Sequence, residues 1–172
     1  MDKLITILGP TASGKTSLAV HLAAQIDGEI ISADSRQVYR GMDIGTGKDL
    51  GEYSINGKNI PYHLIDIKDA GTEYSVFEFQ QDFIHVFKDI VSRGKTAILC
   101  GGTGFYLSAA LGKHQMISVP NNPALRILCD AKTEEELVLQ ITSLKDLHND
   151  TDLSNRERVT RSIEIEIYKK EN

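Results

Sequence analysis

The chain has 172 residues, 41% of them apolar and 25% charged, the balance of an ordinary globular domain with room for a real core. Its formal net charge of −5 argues against bulk electrostatic attraction to nucleic acid, although a local basic patch on an acidic protein stays open. Apolar runs no longer than a strand exclude a transmembrane helix. An N-terminus that opens straight into a charged residue and a strand predicts no signal peptide, and two cysteines without metal-ligand spacing, Cys100 and Cys129, fit a reducing cytoplasm as small buried apolar residues.

Lys3–Leu8 reads as a buried strand. Gly9-Pro10-Thr11-Ala12-Ser13-Gly14-Lys15-Thr16 then meets every fixed position of G-x-x-x-x-G-K-[ST], and residues 17–26 read as a helix bearing Leu18, Leu22 and Ile26 with Ala19 and Ala23 beside them, closed by Asp27-Gly28. The chemistry of such a loop is direct. Glycines let successive N–H groups turn inward on an anion, and the helix N-terminus adds partial positive charge. Lys15 brings a full charge to the outer phosphate, and the Thr16 hydroxyl is placed to ligate Mg²⁺. The ligand is phosphorylated; the loop does not say which phosphorylated ligand.

Glu29–Ser32 is predicted as the second strand, running into a polar segment, Asp34 to Gly41, at a strand's carboxyl end. Asp34 reads as a water-mediated metal acceptor, as a general base or as a cap for the turn that follows. Residues 45–61 are glycine-rich and loop-like, with a hairpin signal at Asn56-Gly57. Tyr62–Ile67 is predicted as the third strand, ending at Asp66, which reads either as a metal ligand or as a structural residue. His63 and His85 read as partly buried residues without chemistry. A helix from Ser75 to Ser92 carries Val76, Phe79, Phe83, Phe87 and Ile90 on one stripe and closes at Arg93-Gly94.

Thr96–Cys100 is the fourth strand, followed by Gly101-Gly102-Thr103-Gly104 and a short helix through Leu111. Thr103 reads as a hydroxyl donor to a phosphate or leaving oxygen, or as a simple turn residue. Residues 112–123 look irregular. Two helices then follow, one with a capping box at Thr133 and Glu136, the other at Ser154 and Glu157, with apolar stripes of Leu137, Ile141, Leu144 and Val159, Ile163, Ile167. Arg158 and Arg161 share a helix face and read as phosphate contacts or as a solvated face. Alternating strands and helices imply an α/β, P-loop NTPase-like three-layer fold, with a parallel sheet of about four strands and helices on both faces, as a single core domain over residues 1–172. The phosphate loop, the Asp34 segment and the Gly101 segment should then open on one sheet edge and share a cleft.

These residues resemble the tRNA dimethylallyltransferase family. The resemblance is carried by the loop at 9–16, the run Ile31 to Thr46, Pro61–Ile67, Tyr74–Phe79, Gly101–Leu107 and Asn155–Glu164, in that order. It implies transfer of a dimethylallyl group from its diphosphate to N6 of an adenine beside the anticodon. The loop and Lys15 would hold the diphosphate with Mg²⁺, Asp34 would take the N6 proton, and Thr103 would assist the diphosphate. Asp34, Ser35, Arg36, Gln37, Arg126, Glu157, Arg158 and Arg161 would touch tRNA. The chain departs from the family pattern at Arg36, usually methionine, and at Gly47, usually alanine. Relative to the family it reads as a short form, lacking a further core strand, a helical insertion and a downstream basic residue. The implied partners are dimethylallyl diphosphate, tRNA or a smaller adenine acceptor, and a second chain supplying the missing region. A nucleotide- or diphosphate-binding paralogue and a P-loop kinase are the alternative readings.

Overall fold

Why the sheet sits between two layers follows from alternation along its strands. In β2 (Gly28–Ala33) and β6 (Thr96–Gly101) nearly every residue is buried, as parallel strands covered on both faces must be. Ile30, Ile98 and Cys100 point to one face, where they pack with Ala19, Val20 and Ala23 of α1 (Lys15–Ile26). Ile31, Ala33, Ala97 and Leu99 point to the other, where Phe79, Phe83 and Ile90 of α2 (Val76–Ser92) and Tyr106 of α3 (Gly104–Ala110) cover them. The computed structural model describes residues 3–112, 117–145, 153 and 155–172.

The main sheet is parallel in the order β1-β6-β2-β5, with β1 at Leu4–Leu8 and β5 at Tyr62–His63. With helices on both faces, this is the predicted three-layer α/β arrangement. A separate two-stranded hairpin, β3 (Ser54–Ile55) and β4 (Lys58–Asn59), forms at the expected turn, where Asn56 and Gly57 both take positive φ (51° and 75°).

Several expectations change in detail. The third strand stops at His63 rather than Ile67, because Leu64 and Asp66 adopt left-handed φ values of 62° and 55° that no strand accommodates. Asp66 therefore lies in a turn and does not end a strand. Leu18 and Ile26 do not form the packed face of α1. They are 58% and 37% exposed, and the small residues Ala19 and Ala23 with Val20 face the sheet instead. His85 is exposed rather than partly buried.

The chain divides into two compact units, Met1–Met116 and Ile117–Asn172. The second holds α4 (Pro123–Asp130), α5 (Glu134–Leu144) and α6 (Arg156–Glu171) around Cys129, Leu137, Ile141, Val159 and Ile163. Helix α4 falls between the irregular stretch at 112–123 and the helix expected after Thr133, where the sequence pattern assigned no element. Here Pro123 stands in the first turn, where a missing N–H costs nothing, and Asn122 caps the helix by accepting from the Leu125 N–H at 3.0 Å. The capping box at Thr133 and Glu136 forms as expected. At α6 the cap is Asn155, whose side chain accepts from the Glu157 N–H at 2.8 Å, whereas Ser154 lies outside the described residues. No described helix is long and apolar enough to cross a membrane.

Candidate active site

The carboxyl ends of β1, β2 and β6 open on one edge of the sheet, and there the first unit holds a cavity of about 990 Å³. Its floor is the phosphate loop Gly9–Thr16. Asp34, Arg36 and Gln37 line it from the end of β2, and Cys100–Thr103 from the end of β6. The three segments expected to converge do converge.

The loop turns through left-handed backbone at two positions, one a glycine and one an alanine. Ala12 and Gly14 take φ of 60° and 79°, and Gly14 precedes α1 without any side-chain cap. Lys15 curls back so that its ammonium donates to the Pro10 carbonyl, which also accepts from the Ser13 hydroxyl at 2.8 Å. Thr16 lines the same cavity.

Asp34 is partly buried. It accepts the Arg36 backbone N–H on Oδ1 at 2.9 Å, so it caps its own turn while facing the cavity. Thr103 stands at the start of α3, and its hydroxyl oxygen accepts from the Ser35 backbone N–H at 3.1 Å. The Thr103 N–H donates to the Ala33 carbonyl at 3.2 Å, so the ends of β2 and β6 are laced together beside Asp34. Gly101 is required for that closeness, because a Cβ there would overlap the Ala33 carbonyl group.

Burial pushes the Cys100 thiol up to about 11, so the cavity presents no thiolate at neutral pH. Among the described residues no group of three or more His, Cys, Asp or Glu side chains could hold a metal ion by itself. Among the oxygen donors that line the cavity, the Thr16 hydroxyl at the loop and the Asp34 carboxylate at the end of β2 suit a hard divalent cation.

Sequence reasoning missed the wall built by residues 43–53. Asp43, Lys48, Asp49, Glu52 and Tyr53 line the cavity there. Within this glycine-rich stretch a lysine flanked by turns carries no pattern that marks it as buried; only the fold shows it.

The remaining predicted residues belong to the second unit. Glu157 and Arg158 are exposed. Arg126 and Arg161 both grip Glu164, which is 2% exposed: Arg126 Nε lies 2.9 Å from Oε1 and Arg161 Nη1 lies 2.8 Å from Oε2. Arg161 Nη2 also donates to the Val119 carbonyl at 2.7 Å.

A parallel sheet carrying a loop of the G-x-x-x-x-G-K-[ST] pattern at its carboxyl edge defines a P-loop-like α/β protein. Residues 37–172 match the family model described as IPP transferase, and the chain belongs to that family. It is 60% identical over 168 residues to tRNA dimethylallyltransferase 1 of Parabacteroides distasonis, covering 98% of this chain and 55% of that protein. The full-length tRNA isopentenylpyrophosphate transferase of Bacillus halodurans superposes with a TM-score of 0.63 at 35% identity, over 96% of this chain and 55% of the other. A eukaryotic dimethylallyltransferase described as acting on tRNA superposes at 0.75 with 28% identity, over 96% and 41%. The chain thus spans about half the length of the curated relatives it matches.

Proposed function

We propose that this chain carries the catalytic core of a dimethylallyl transfer to tRNA, with residues 1–172 acting as one prenyltransferase core in the cytoplasm. The observation that supports this reading most is the shared cavity, in which a phosphate loop, a carboxylate and a hydroxyl from distant sequence segments meet.

In this reading Gly9–Thr16 and Lys15 hold the diphosphate of dimethylallyl diphosphate. The N6 lone pair of a tRNA adenine forms the new bond to the allylic carbon. The carbon–oxygen bond breaks, and its electron pair departs with the diphosphate. The N6 proton passes to the Asp34 carboxylate, which offsets the poor nucleophilicity of an aromatic amine. Lys15, the loop N–H groups and the Thr103 hydroxyl meet the charge that builds on the leaving oxygen. The Thr103 oxygen accepts from the Ser35 N–H at 3.1 Å, and its O–H, which reaches the Ser35 hydroxyl only at a long 3.5 Å, would turn to the leaving oxygen instead. Mg²⁺, held by Thr16 and phosphate oxygens, would supply further neutralisation of the diphosphate. The adenine would enter the cavity as an extruded base. Ser35, Arg36 and Gln37, together with Arg126, Glu157, Arg158 and Arg161, would contact tRNA.

The test is direct. The protein is incubated with dimethylallyl diphosphate, Mg²⁺ and either tRNA or adenosine phosphates, and N6-dimethylallyl adenine is sought by mass spectrometry. Product on tRNA supports the reading. Product on free nucleotide alone moves the acceptor, and its absence with every acceptor at high protein concentration overturns the reading. In that last case, diphosphate binding by calorimetry would leave a binding module.

A further inference from the structure

Lys48 is the most deeply buried cation on the cavity wall. The residue is 7% exposed and its side chain wholly covered. An ammonium has three N–H donors, and all three are used: on the Tyr39 carbonyl at 2.8 Å, Asp43 Oδ1 at 2.9 Å and Asp66 Oδ1 at 2.5 Å. Burial works against its charge, but the bonds to Asp66 and Asp43 outweigh burial, and its pKa lies above the ordinary lysine value.

The three oxygens belong to three different stretches: the end of the Asp34 turn, the cavity wall, and the left-handed turn after β5. Those stretches are also tied through the backbone. The Asp66 N–H donates to the Gln37 carbonyl at 3.1 Å, and the Ile67 and Lys68 N–H groups both reach the Val38 carbonyl at 2.9 Å. On the wall side, the Gln37 amide nitrogen donates to the Gly47 carbonyl at 3.1 Å while its oxygen accepts from the Ser32 hydroxyl at 2.9 Å. The segment that carries Asp34 is therefore clamped between the wall and the 66–68 turn, and the Lys48 ammonium is the charge joining both clamps.

We propose that Lys48 is a positioning residue, whose ammonium fixes the 34–40 segment and so sets the place of the Asp34 carboxylate over the phosphate loop. It touches no reacting atom. Its role rests on the function proposed above, but the constraint it imposes can be measured without any turnover.

The experiment compares the whole protein with Lys48→Met and Asp66→Asn. The second variant matters because asparagine accepts a left-handed φ as readily as aspartate, so it removes a charge without backbone strain. Amide hydrogen exchange should rise by about tenfold or more across residues 34–40 in both variants, with α1 and β6 unchanged. Pyrophosphate affinity should stay within about threefold, because the phosphate loop is untouched; where transfer is measured, kcat should fall by about 10²-fold with little change in KM for the diphosphate. If Lys48→Met does not fold, Asp66→Asn alone decides. Unchanged protection at 34–40 in a folded variant, or an equal rise across every element, overturns the proposal. Loss of transfer in the unmodified protein would instead strike the proposed function and leave the exchange result standing.

Discussion

The Ser35 N–H donates to the Thr103 hydroxyl oxygen at 3.1 Å, between residues 68 apart in the chain. This one bond joins the turn after β2 to the turn after β6 and brings the hydroxyl alongside Asp34. Thr103→Val keeps the shape, deletes the acceptor and strands the Ser35 N–H. It should cost about 1–3 kcal/mol of stability by urea unfolding. The transfer rate should fall by about 10²-fold, with Thr103→Ser restoring most of both losses.

Lys15 and Asp34 line the same cavity, and the proposed reaction gives them different tasks. Lys15→Ala should abolish measurable pyrophosphate binding in calorimetry. Asp34→Ala should bind pyrophosphate as the unmodified protein does and lose about 10²–10⁴-fold in single-turnover transfer, the range expected for a missing general base. Equal loss of binding in both variants would show that this division of roles is wrong.

Gly101 sits opposite Ala33 in the β2–β6 register, and an added Cβ would run into the Ala33 backbone. A backbone obstacle cannot rotate away as a side chain would. Gly101→Ala should therefore destabilise the first unit by about 2–3 kcal/mol, read as a lower urea midpoint with an unchanged slope. Gly104, beside which nothing lies within 4 Å, is the control site for the same substitution.

The two buried glutamates make stability depend on acid. The Arg93 guanidinium, helped by His63 and opposed by burial, holds Glu29 down at about 2. Burial pushes Glu164 up, but Arg126, Arg161 and the Asn122 N–H outweigh it and hold it also at about 2. Each carboxylate is depressed from its ordinary value of 4.5, so its stabilisation is full above that pH and is lost as pH falls toward 2. Glu164→Gln should cost about 2 kcal/mol at pH 7 and flatten the stability curve below pH 4.5, measured by urea titration at stepped pH.

Local pattern carried much of the fold. The stripe Val76, Phe79, Phe83, Phe87 and Ile90 gave α2 within a residue, and Ser75 and Glu78 form its capping box. The Asn56-Gly57 turn was legible because a type I′ hairpin needs positive φ at both positions. The site was legible where chemistry and backbone geometry coincide, in the loop Gly9–Thr16, and at the strand ends bearing Asp34 and Thr103. It was not legible where a residue's role depends on partners far away. The resemblance placed Arg126 and Arg161 against tRNA, and nothing local in the sequence marks that both close on one buried carboxylate, Glu164.

The sequence by itself determined the alternation of strands and helices, the phosphate loop and the edge of the sheet on which the site would open. These depend on spacing within a few residues, where hydrophobic period, glycine and caps act directly on the backbone. Tertiary structure alone decided the end of β5 at His63, the burial of Lys48 between Tyr39, Asp43 and Asp66, and the arrival of Lys48 and Asp43 on the wall of the cavity. Such outcomes arise from desolvation and hydrogen-bond satisfaction among distant segments, and a buried charge is stable only where the fold delivers its partners.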